Sequence, residues 1–305
     1  MKNYCILGDT RYLPQLICLI DSIKLHFTEE YTVHLLALDD SVSNFFLSKR
    51  KENKNIVVYK LEQLYEDFEI KSIRYFQPGQ EAISNAQSSG KDPQFVQFCW
   101  ALAPCFSKWV MDRVHSDVTY VDADLFFVND IKAFFQEIGE NSIGFVRHRI
   151  PYLYTSGEFN VGIVYFKNDG TGRSALKRWK DMLVNISNPY THGYGTCGDQ
   201  KYLELIASLY RDKLCIVDKE FGHLAPWNVT GHKYKNGKIE WENRLQDLVY
   251  FHFAHFVIED DKGSYRASYK NEWIWGDPLK TDIFVKNLYD LYYKKMLSAN
   301  DEINL

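Results

Sequence analysis

The sequence lacks a long apolar run, a large excess of charge of one sign and closely spaced pairs of cysteines. No stretch approaches the ~18 consecutive apolar residues that a membrane-spanning helix needs, so we expect no such helix. The first residues lack the extended apolar region of a signal peptide, and we expect no secretory signal. The formal net charge is only -4, from 36 Lys+Arg and 40 Asp+Glu, which favours neither a nucleic acid nor an anionic surface as partner.

The cysteines occur singly within apolar segments and form no C-x-x-C pair. They are Cys5, Cys18, Cys99, Cys105, Cys197 and Cys215. This pattern is typical of buried free thiols in a reducing compartment and not of a disulfide framework. We therefore expect a cytoplasmic protein, and peripheral association with the inner face of the membrane stays open.

What is present is an ordinary globular composition of 305 residues, 46% of them hydrophobic and 25% charged. About 150 residues per domain would allow two domains, but α/β folds of this size often form one. We expect a single domain.

Strand-like and helix-like segments alternate through the first two thirds of the chain. Short apolar runs predict strands at 4–7, 33–38, 56–59, 118–121, 142–146 and 161–166. Helical periodicity predicts helices from Leu13, over 95–114 with an interruption near Pro104, from Arg173 and from Asp199. Runs that are apolar on both faces are typical of parallel strands, and the alternation predicts an α/β fold.

This pattern weakens towards the C-terminus. Residues 221–278 are rich in Trp, Tyr, His, Gly and Asn, and only one clear strand is predicted there, at 248–253. A last helix is predicted at 281–297. Residues 74–90 contain Pro, Gly, Asn and Ser, which predicts an irregular segment there. We expect an irregular, aromatic-rich C-terminal region.

Two carboxylates follow the strand predicted at 118–121, in the sequence Asp122-Ala123-Asp124. In extended backbone the side chains at i and i+2 share a face, so both carboxylates can reach one ion. Hard oxygen ligands suit Mg²⁺ or Mn²⁺, and α/β sheets bind their ligands at the carboxyl ends of strands. The alternative is that both residues only cap the strand, because short motifs of this kind are common.

Five segments, taken in order, resemble those of the GT-A nucleotide-diphospho-sugar transferases, especially the family-8-like bacterial enzymes that build surface polysaccharides. The segments are 5–12 (C-I-L-G-D-T-R-Y), 120–124 (Y-V-D-A-D), 159–163 (F-N-V-G-I), 198–200 (G-D-Q) and 251–255 (F-H-F-A-H). The resemblance covers nearly the whole chain. It implies a GT-A fold, which is Rossmann-like with a mixed, mainly parallel sheet flanked by helices. It also implies a nucleotide-binding half at 1–130, a donor-sugar and acceptor half at 131–260 and an extension at 261–305.

The resemblance implies that the N-terminal segment lines the uridine and ribose pocket, with Leu7, Gly8, Asp9, Thr10 and Tyr12. Asp9 can equally cap the helix that follows it. Candidates for a phosphate contact are Arg11, Arg74 and Lys262, although the acidic run 259–261 breaks the family spacing before Lys262.

The late histidine, His252, resembles the family's third protein ligand to the metal. An imidazole beside two carboxylates favours Mn²⁺ over Mg²⁺. The alternative is a core histidine satisfied by hydrogen bonds. Three positions later the family commonly has Gly, and here His255 stands in its place and is a rival ligand.

Two further segments are implied to bind the donor sugar. Asn160 has an amide that can bond to hydroxyls, and Gly162 permits close backbone approach, although a strand entered by a turn explains this glycine too. Asp199 is implied to bind sugar hydroxyls and Gln200 to lie beneath the reacting carbon, while a helix N-cap is the alternative role of Asp199.

Aromatic side chains of the C-terminal region can stack on sugar faces. The tryptophans concerned are Trp227, Trp241, Trp273 and Trp275, and the stretch Trp227-Asn228 with His232 resembles part of the family's acceptor or donor wall.

These observations predict a metal-dependent, hexosyltransferase-like enzyme that moves a sugar from a UDP-sugar to a glycan, a lipid-linked or another hydroxyl acceptor. The D-Q pair suggests retention of configuration, and inversion stays open because Asp218, Glu220 and Glu240 are unassigned. One alternative is a nucleotidyltransferase that makes nucleotide sugars, although no Gly-rich basic loop follows the first strand. The other is a non-catalytic carbohydrate-binding or nucleotide-binding relative.

Overall fold

The computed structural model describes residues 1–74, 82–83, 86–87, 90–149, 157–184, 199–267 and 277–304. In chain order its strands are β1 (Lys2–Gly8), β2 (Tyr31–Ala37), β3 (Ile56–Lys60), β4 (Val118–Val121), β5 (Leu125–Phe127), β6 (Ile143–Arg147), β7 (Phe159–Phe166), β8 (Leu214–Ile216), β9 (Gly222–Leu224), β10 (Lys233–Lys235), β11 (Lys238–Trp241), β12 (Arg244–His252), β13 (Val257–Ile258) and β14 (Tyr265–Arg266). Its α-helices are α1 (Leu13–His26), α2 (Asp40–Ser48), α3 (Leu61–Leu64), α4 (Phe68–Ile73), α5 (Pro93–Val114), α6 (Lys132–Ile138), α7 (Gly170–Val184), α8 (Tyr202–Leu209) and α9 (Ile283–Ile303).

The described residues form a seven-stranded main sheet in the order β3-β2-β1-β4-β7-β6-β8. The strands β3, β2, β1 and β4 are parallel to their neighbours, β7 is antiparallel to both β4 and β6, and β8 is parallel to β6. The α/β class and the mixed, mainly parallel sheet are therefore confirmed. Each predicted strand of this sheet is found within about two residues of its expected bounds, because a buried apolar run is a local signal.

Alternate residues of the central strands enter two separate cores. Tyr4 and Ile6 of β1 pack into the core that contains α1 and α9, whereas Cys5 and Leu7 pack into the core that contains α5 and α7. Successive side chains of a strand point to opposite faces, so the two cores lie on opposite faces of the sheet. Both layers of helices thus hold the strand ends of the main sheet in place.

A second sheet forms where the chain leaves β4. Its described strands run β10-β11-β12-β5, and β9 pairs with β12 in parallel. The expectation of a single clear strand after residue 221 is therefore wrong: β9 to β14 are present, and each except β12 is too short for a periodic signal. Asn236 and Gly237 join β10 to β11 with φ of 54° and 76°, the left-handed backbone that two-residue hairpins require.

Three helix predictions need correction. The helix α5 is continuous through Pro104, because the buried side chains on both sides of the proline hold it against the sheet and α7. The helix predicted from Asp199 begins at Tyr202, and α9 extends to Ile303, beyond the predicted end. None of the helices in the described ranges is long and apolar enough to cross a membrane.

Candidate metal centre and its surroundings

The chain changes sheets at the two carboxylates. Asp122 follows β4 and its N–H donates to the carbonyl of Gly162 on β7, at 3.0 Å, while Leu125 already begins β5 in the second sheet. The antiparallel partner of β5 is β12, and its register places His252 opposite Leu125. Strand pairing therefore brings the last residue of β12 to the residues that follow β4.

The three side chains converge. The Nε2 atom of His252 lies 2.9 Å from Oδ1 of Asp124 and 3.9 Å from Oδ2 of Asp122. One ligand atom from each of the three residues lies within 4.8 Å of the other two, the one such group among the described residues. In octahedral geometry, ligands at about 2.1 Å from an ion lie about 3.0 Å apart when adjacent and about 4.2 Å apart when opposite. The cluster therefore fits a divalent cation held by two carboxylates and an imidazole.

The pKa values of the three side chains are shifted by burial and by one another's charges. Burial, and then the charge of Asp124, raise the pKa of Asp122 to about 6, although His252 opposes them. Burial would raise the pKa of Asp124 as well, but the adjacent imidazole outweighs it and the pKa falls. For His252 burial alone would lower the pKa, and the neighbouring Asp124 carboxylate raises it instead. Negative charge thus accumulates where a cation would sit.

The other side of the His252 ring is packed closely. Its Nδ1 atom is buried and has no hydrogen-bond partner in the described part of the chain, and a Cβ placed on Gly162 would lie 2.9 Å from it. The Trp227 ring meets the imidazole edge-on, with 5.1 Å between the ring centroids. Gly162 and Trp227 therefore hold the ring with Nε2 towards the carboxylates.

His255 has a different environment. It has a φ of 63°, in the left-handed region where Gly carries no steric cost and a side chain is disfavoured. Burial lowers its pKa, with a smaller opposing effect of Asp124. The cluster of three ligands contains His252 and not His255.

A hydrogen-bonded network borders the cluster on the β7 side. The N–H of Gly162 donates to Oδ1 of Asn160 at 2.8 Å, which directs the Asn160 amide group towards Gln200 and His148. That amide group lies 3.0 Å from Oε1 of Gln200 and 3.2 Å from Nε2 of His148. His148 faces the carbonyl of Gly157 through Nδ1, and burial lowers its pKa to about 4, so the ring is neutral and Nε2 accepts. The network therefore holds the side-chain carbonyl oxygen of Gln200 in place through the hydrogen bond from Asn160.

Asp199 precedes Gln200 in a turn ahead of α8. It is not the N-cap of this helix, since Lys201 occupies that position, so the capping alternative for Asp199 is wrong. Its side chain is buried at 4% exposure, and its backbone carbonyl accepts a hydrogen bond from Trp179. Burial, and then the charge of Asp122, raise the pKa of Asp199 well above its ordinary value. The charge of Asp122 therefore acts on the Asp199 carboxyl and favours its neutral form.

The turn after β1 lies at the same sheet edge, because β1 and β4 are parallel neighbours. Asp9 accepts from the backbone N–H and from the guanidinium of Arg11 at 2.5 to 3.1 Å. It caps the 3₁₀ turn Thr10–Tyr12, whereas the N-cap of α1 itself is Tyr12. Thr10 donates from its N–H and its hydroxyl to Asp39, both at 2.7 Å. The carbonyl of Gly8 accepts from Leu38. Leu7 and Ala123 are buried.

The other predicted cations lie at exposed positions. Arg74 is at the end of α4 and donates to the hydroxyl of Tyr65 at 3.0 Å. Lys262 is in the turn between β13 and β14, where its N–H donates to Asp260 at 2.9 Å. Gly198, Trp273, Trp275 and Cys197 lie outside the described residues.

Two residues near the site were missed in the sequence. His148 follows β6 directly, and its carbonyl also accepts from Trp227 and from Asn228, both at 3.1 Å. Lys91 precedes α5, and its Nζ donates to the hydroxyl of Tyr12 at 2.8 Å. A polar residue at a strand end was the signal for His148, whereas no sequence signal set Lys91 apart from the other lysines.

No known family model matches the chain. In sequence it is similar to two Bacillus subtilis (strain 168) proteins. The uncharacterized protein YfnF is 28% identical over 177 residues, which cover 53% of the chain and 57% of YfnF. The uncharacterized protein YfnD is 26% identical over 220 residues, which cover 68% of the chain and 67% of YfnD. The chain thus spans little more than half of YfnF.

Solved structures define the fold. The galactosyltransferase LgtC, solved with donor and acceptor sugar analogues, has a TM-score of 0.56 and 12% identity, covering 97% of the chain and 95% of LgtC. Mouse xyloside xylosyltransferase 1 has a TM-score of 0.55 and 13% identity, covering 82% and 97%. The bifunctional glycosyltransferase WbbM has a TM-score of 0.51 and 10% identity, covering 99% of the chain and 51% of WbbM. These are GT-A glycosyltransferases, so the predicted GT-A fold is confirmed.

Proposed function

We propose that this protein is a metal-dependent glycosyltransferase that moves a sugar from a nucleotide sugar to a hydroxyl group of a glycan or lipid-linked acceptor. The proposed donor is a UDP-sugar. The observation that carries the proposal is the convergence of Asp122, Asp124 and His252 at the edge where β1 and β4 end. The GT-A fold supports it, since its solved neighbours include LgtC with donor and acceptor sugar analogues.

The three ligands would hold Mn²⁺, or Mg²⁺ as the second choice, since an imidazole beside two carboxylates favours the former. Such an ion would neutralise charge on the diphosphate as it departs. The chain's own part is to fix the ligand positions, through the β5–β12 register for His252 and through the bond from Asp122 to Gly162. Preorganised groups of this kind stabilise a transition state without reorganising during the reaction.

The donor sugar would lie between the metal cluster and the Asn160–Gln200 network. Asp199 would bond to sugar hydroxyls, and Gln200 would lie beneath the reacting carbon with its carbonyl oxygen held by Asn160. LgtC has also been solved as an active-site Gln-to-Glu mutant, so a glutamine belongs to the active site of that protein. The Trp227 ring beside His252 would form part of the wall.

Retention of configuration is part of the proposal. The unassigned carboxylates that could serve as an inverting base have other partners or are exposed. Asp218 is paired with Arg147, Glu240 faces Lys233 at 3.8 Å, and Glu220 is exposed. We further propose that the chain acts as one catalytic domain, since strands from 1–130 and from 131–260 share the main sheet. A cytoplasmic location is also proposed, since the cysteines occur singly in apolar segments.

The test is a panel of nucleotide sugars supplied with Mn²⁺ and scored for release of the nucleoside diphosphate. We expect one UDP-sugar to turn over, and Asp124→Ala to lower the rate at least about 100-fold. Asp181→Asn is the matched control, because Asp181 is paired with Lys177 on the surface of α7. Absence of turnover with every donor, or equal turnover by Asp124→Ala, would contradict the proposal. Formation of the nucleotide sugar from sugar phosphate and UTP would instead identify a nucleotidyltransferase.

A further inference from the structure

The metal cluster needs a cation of the protein beside it if a diphosphate is to bind. Two carboxylates and one divalent ion sum to zero charge, which leaves the negative charge of a bound diphosphate to other groups. Arg11 is already neutralised by Asp9, with its Nε 2.8 Å from the carboxylate. Arg74 and Lys262 are exposed and lie at the end of α4 and in the β13–β14 turn. The cations predicted from the sequence are thus either paired with a carboxylate or exposed.

Lys91 lies at the edge of the sheet where the ligands converge. Its Nζ donates to the hydroxyl of Tyr12 at 2.8 Å and lies 4.4 Å from the centre of that ring. Tyr12 ends the short helical turn that follows β1, and β1 runs parallel to β4, the strand that leads into Asp122. Ligands of open α/β sheets bind at this end of the strands.

Lys91 is a partly buried cation without a paired carboxylate in the described part of the chain. Burial, and then the charge of Arg11, lower the pKa of Lys91, while the charges of Asp124 and Asp9 oppose them in part. Among the described residues it forms no ion pair, and its hydrogen-bond partner is the neutral phenol of Tyr12. A half-buried charge without a counter-charge is costly, so such a group commonly has a functional reason.

We propose that Lys91 binds the phosphate oxygens of the nucleotide-sugar donor, beside the cation held by Asp122, Asp124 and His252. The inference rests on the proposed function and adds to it the group that compensates the diphosphate charge. An ammonium group has three donors. One is used by Tyr12, which also sets the direction of the side chain, and the described residues leave the other two for phosphate oxygens.

Calorimetric titrations of the full chain with uridine, UMP and UDP, each with Mn²⁺ at fixed ionic strength, test the proposal. For Lys91→Met we expect the Kd of UDP to rise about 10- to 100-fold, because a hydrogen bond to a charged group is lost. The Kd of uridine should stay within about 2-fold, and UMP should show an intermediate effect. Lys91→Arg should retain most of the affinity for UDP, because it keeps the charge. Lys177→Met, at an exposed position of α7, is the matched control.

The outcomes separate the two proposals. A wild-type protein that binds no UDP in the presence of Mn²⁺ contradicts both the proposed function and the role of Lys91. Wild-type binding of UDP that Lys91→Met leaves unchanged overturns the role of Lys91 alone. An equal loss for uridine and UDP also overturns it, because the lysine would then support the pocket and not the phosphates. If Lys91→Met does not fold, Lys91→Gln and Tyr12→Phe give the same comparison, with a smaller loss expected for Tyr12→Phe.

Discussion

Gly162 leaves the space that the ring of His252 occupies: a Cβ on this glycine would lie 2.9 Å from Nδ1 of the imidazole. The same Cβ would lie 2.5 Å from Oδ1 of Asn160, the atom that accepts the N–H of Gly162. The absence of a side chain at Gly162 therefore leaves room both for the cluster of Asp122, Asp124 and His252 and for the network that holds Gln200. The glycine is required by close approach, since its φ is not in the left-handed region.

Gly162→Ala should displace the His252 ring and weaken Mn²⁺ binding about 10-fold or more, as loss of support around a ligand commonly does. The overpacking should also lower the free energy of unfolding by about 1–3 kcal/mol. Calorimetric titration with Mn²⁺ and urea denaturation measure the two effects. Gly170→Ala is the control, because no atom lies within 4 Å of a Cβ there and α7 tolerates alanine. Unchanged Mn²⁺ affinity in Gly162→Ala would show that the ring does not depend on this space.

Removing each late histidine in turn should identify the metal ligand. At about 100 times its Kd, Mn²⁺ should stabilise the wild-type protein by about 2.7 kcal/mol. His252→Ala should abolish this stabilisation, because it removes the imidazole that lies 2.9 Å from Asp124. His255→Gly should retain it, and glycine suits the φ of 63° there. Thermal denaturation with and without Mn²⁺, and with EDTA as the metal-free reference, gives the measurement, and the reverse result would assign the metal to His255.

Asn160→Asp keeps the shape of the side chain and removes its N–H donors. Nε2 of His148 then loses its donor, and the carbonyl of Gln200 keeps the longer bond from the Val161 N–H at 3.4 Å but loses the one from Asn160. We expect kcat to fall about 10- to 100-fold and stability to fall by about 1–3 kcal/mol. Steady-state kinetics should show the loss mainly in kcat if Gln200 acts in the transition state. Asn141→Asp, which alters a bond to the Ile138 carbonyl away from the site, is the control. A rise in KM with unchanged kcat would contradict this role, because Asn160 would then contribute equally to binding of the donor in the ground state and in the transition state.

His34 should make stability depend on pH. Burial lowers the pKa of His34 from 6.5 to about 4, so the folded protein binds this proton less readily than the unfolded chain. Stability from this group is therefore complete above pH 6.5 and is lost as the pH falls towards 4. His34→Gln should reduce the loss in free energy of unfolding between pH 7 and pH 5 by about 2 kcal/mol.

Urea denaturation at both pH values measures this difference for His34. Tyr59→Phe is the matched control, since it removes the hydroxyl 3.1 Å from Nδ1 and keeps the titrating ring. That variant should lower stability at both pH values and keep the dependence on pH. The same dependence in His34→Gln as in the wild type would assign the effect to other buried histidines.

The sequence by itself determined the strands of the main sheet and the position of the two carboxylates. The bounds of β4 are those predicted, because a short run of β-branched and aromatic residues followed by an aspartate defines a buried strand end locally. The same locality gave the helices α1 and α7. The Asn236-Gly237 hairpin signal was also in the sequence, although the flanking strands were too short to support it.

Only the tertiary structure decided which late histidine joins the carboxylates. His252 and His255 are three residues apart, in the same short aromatic segment, and the sequence does not distinguish them. The strand β12 pairs with β5 in a register that brings His252 to Asp124. A shift of one residue would turn the imidazole to the opposite face of the strand. Lys91 reached the site in the same way, through its bond to Tyr12, which lies 79 positions away in the chain. Such contacts depend on strand pairing and packing between residues far apart in the sequence, so a local pattern of residues cannot predict them.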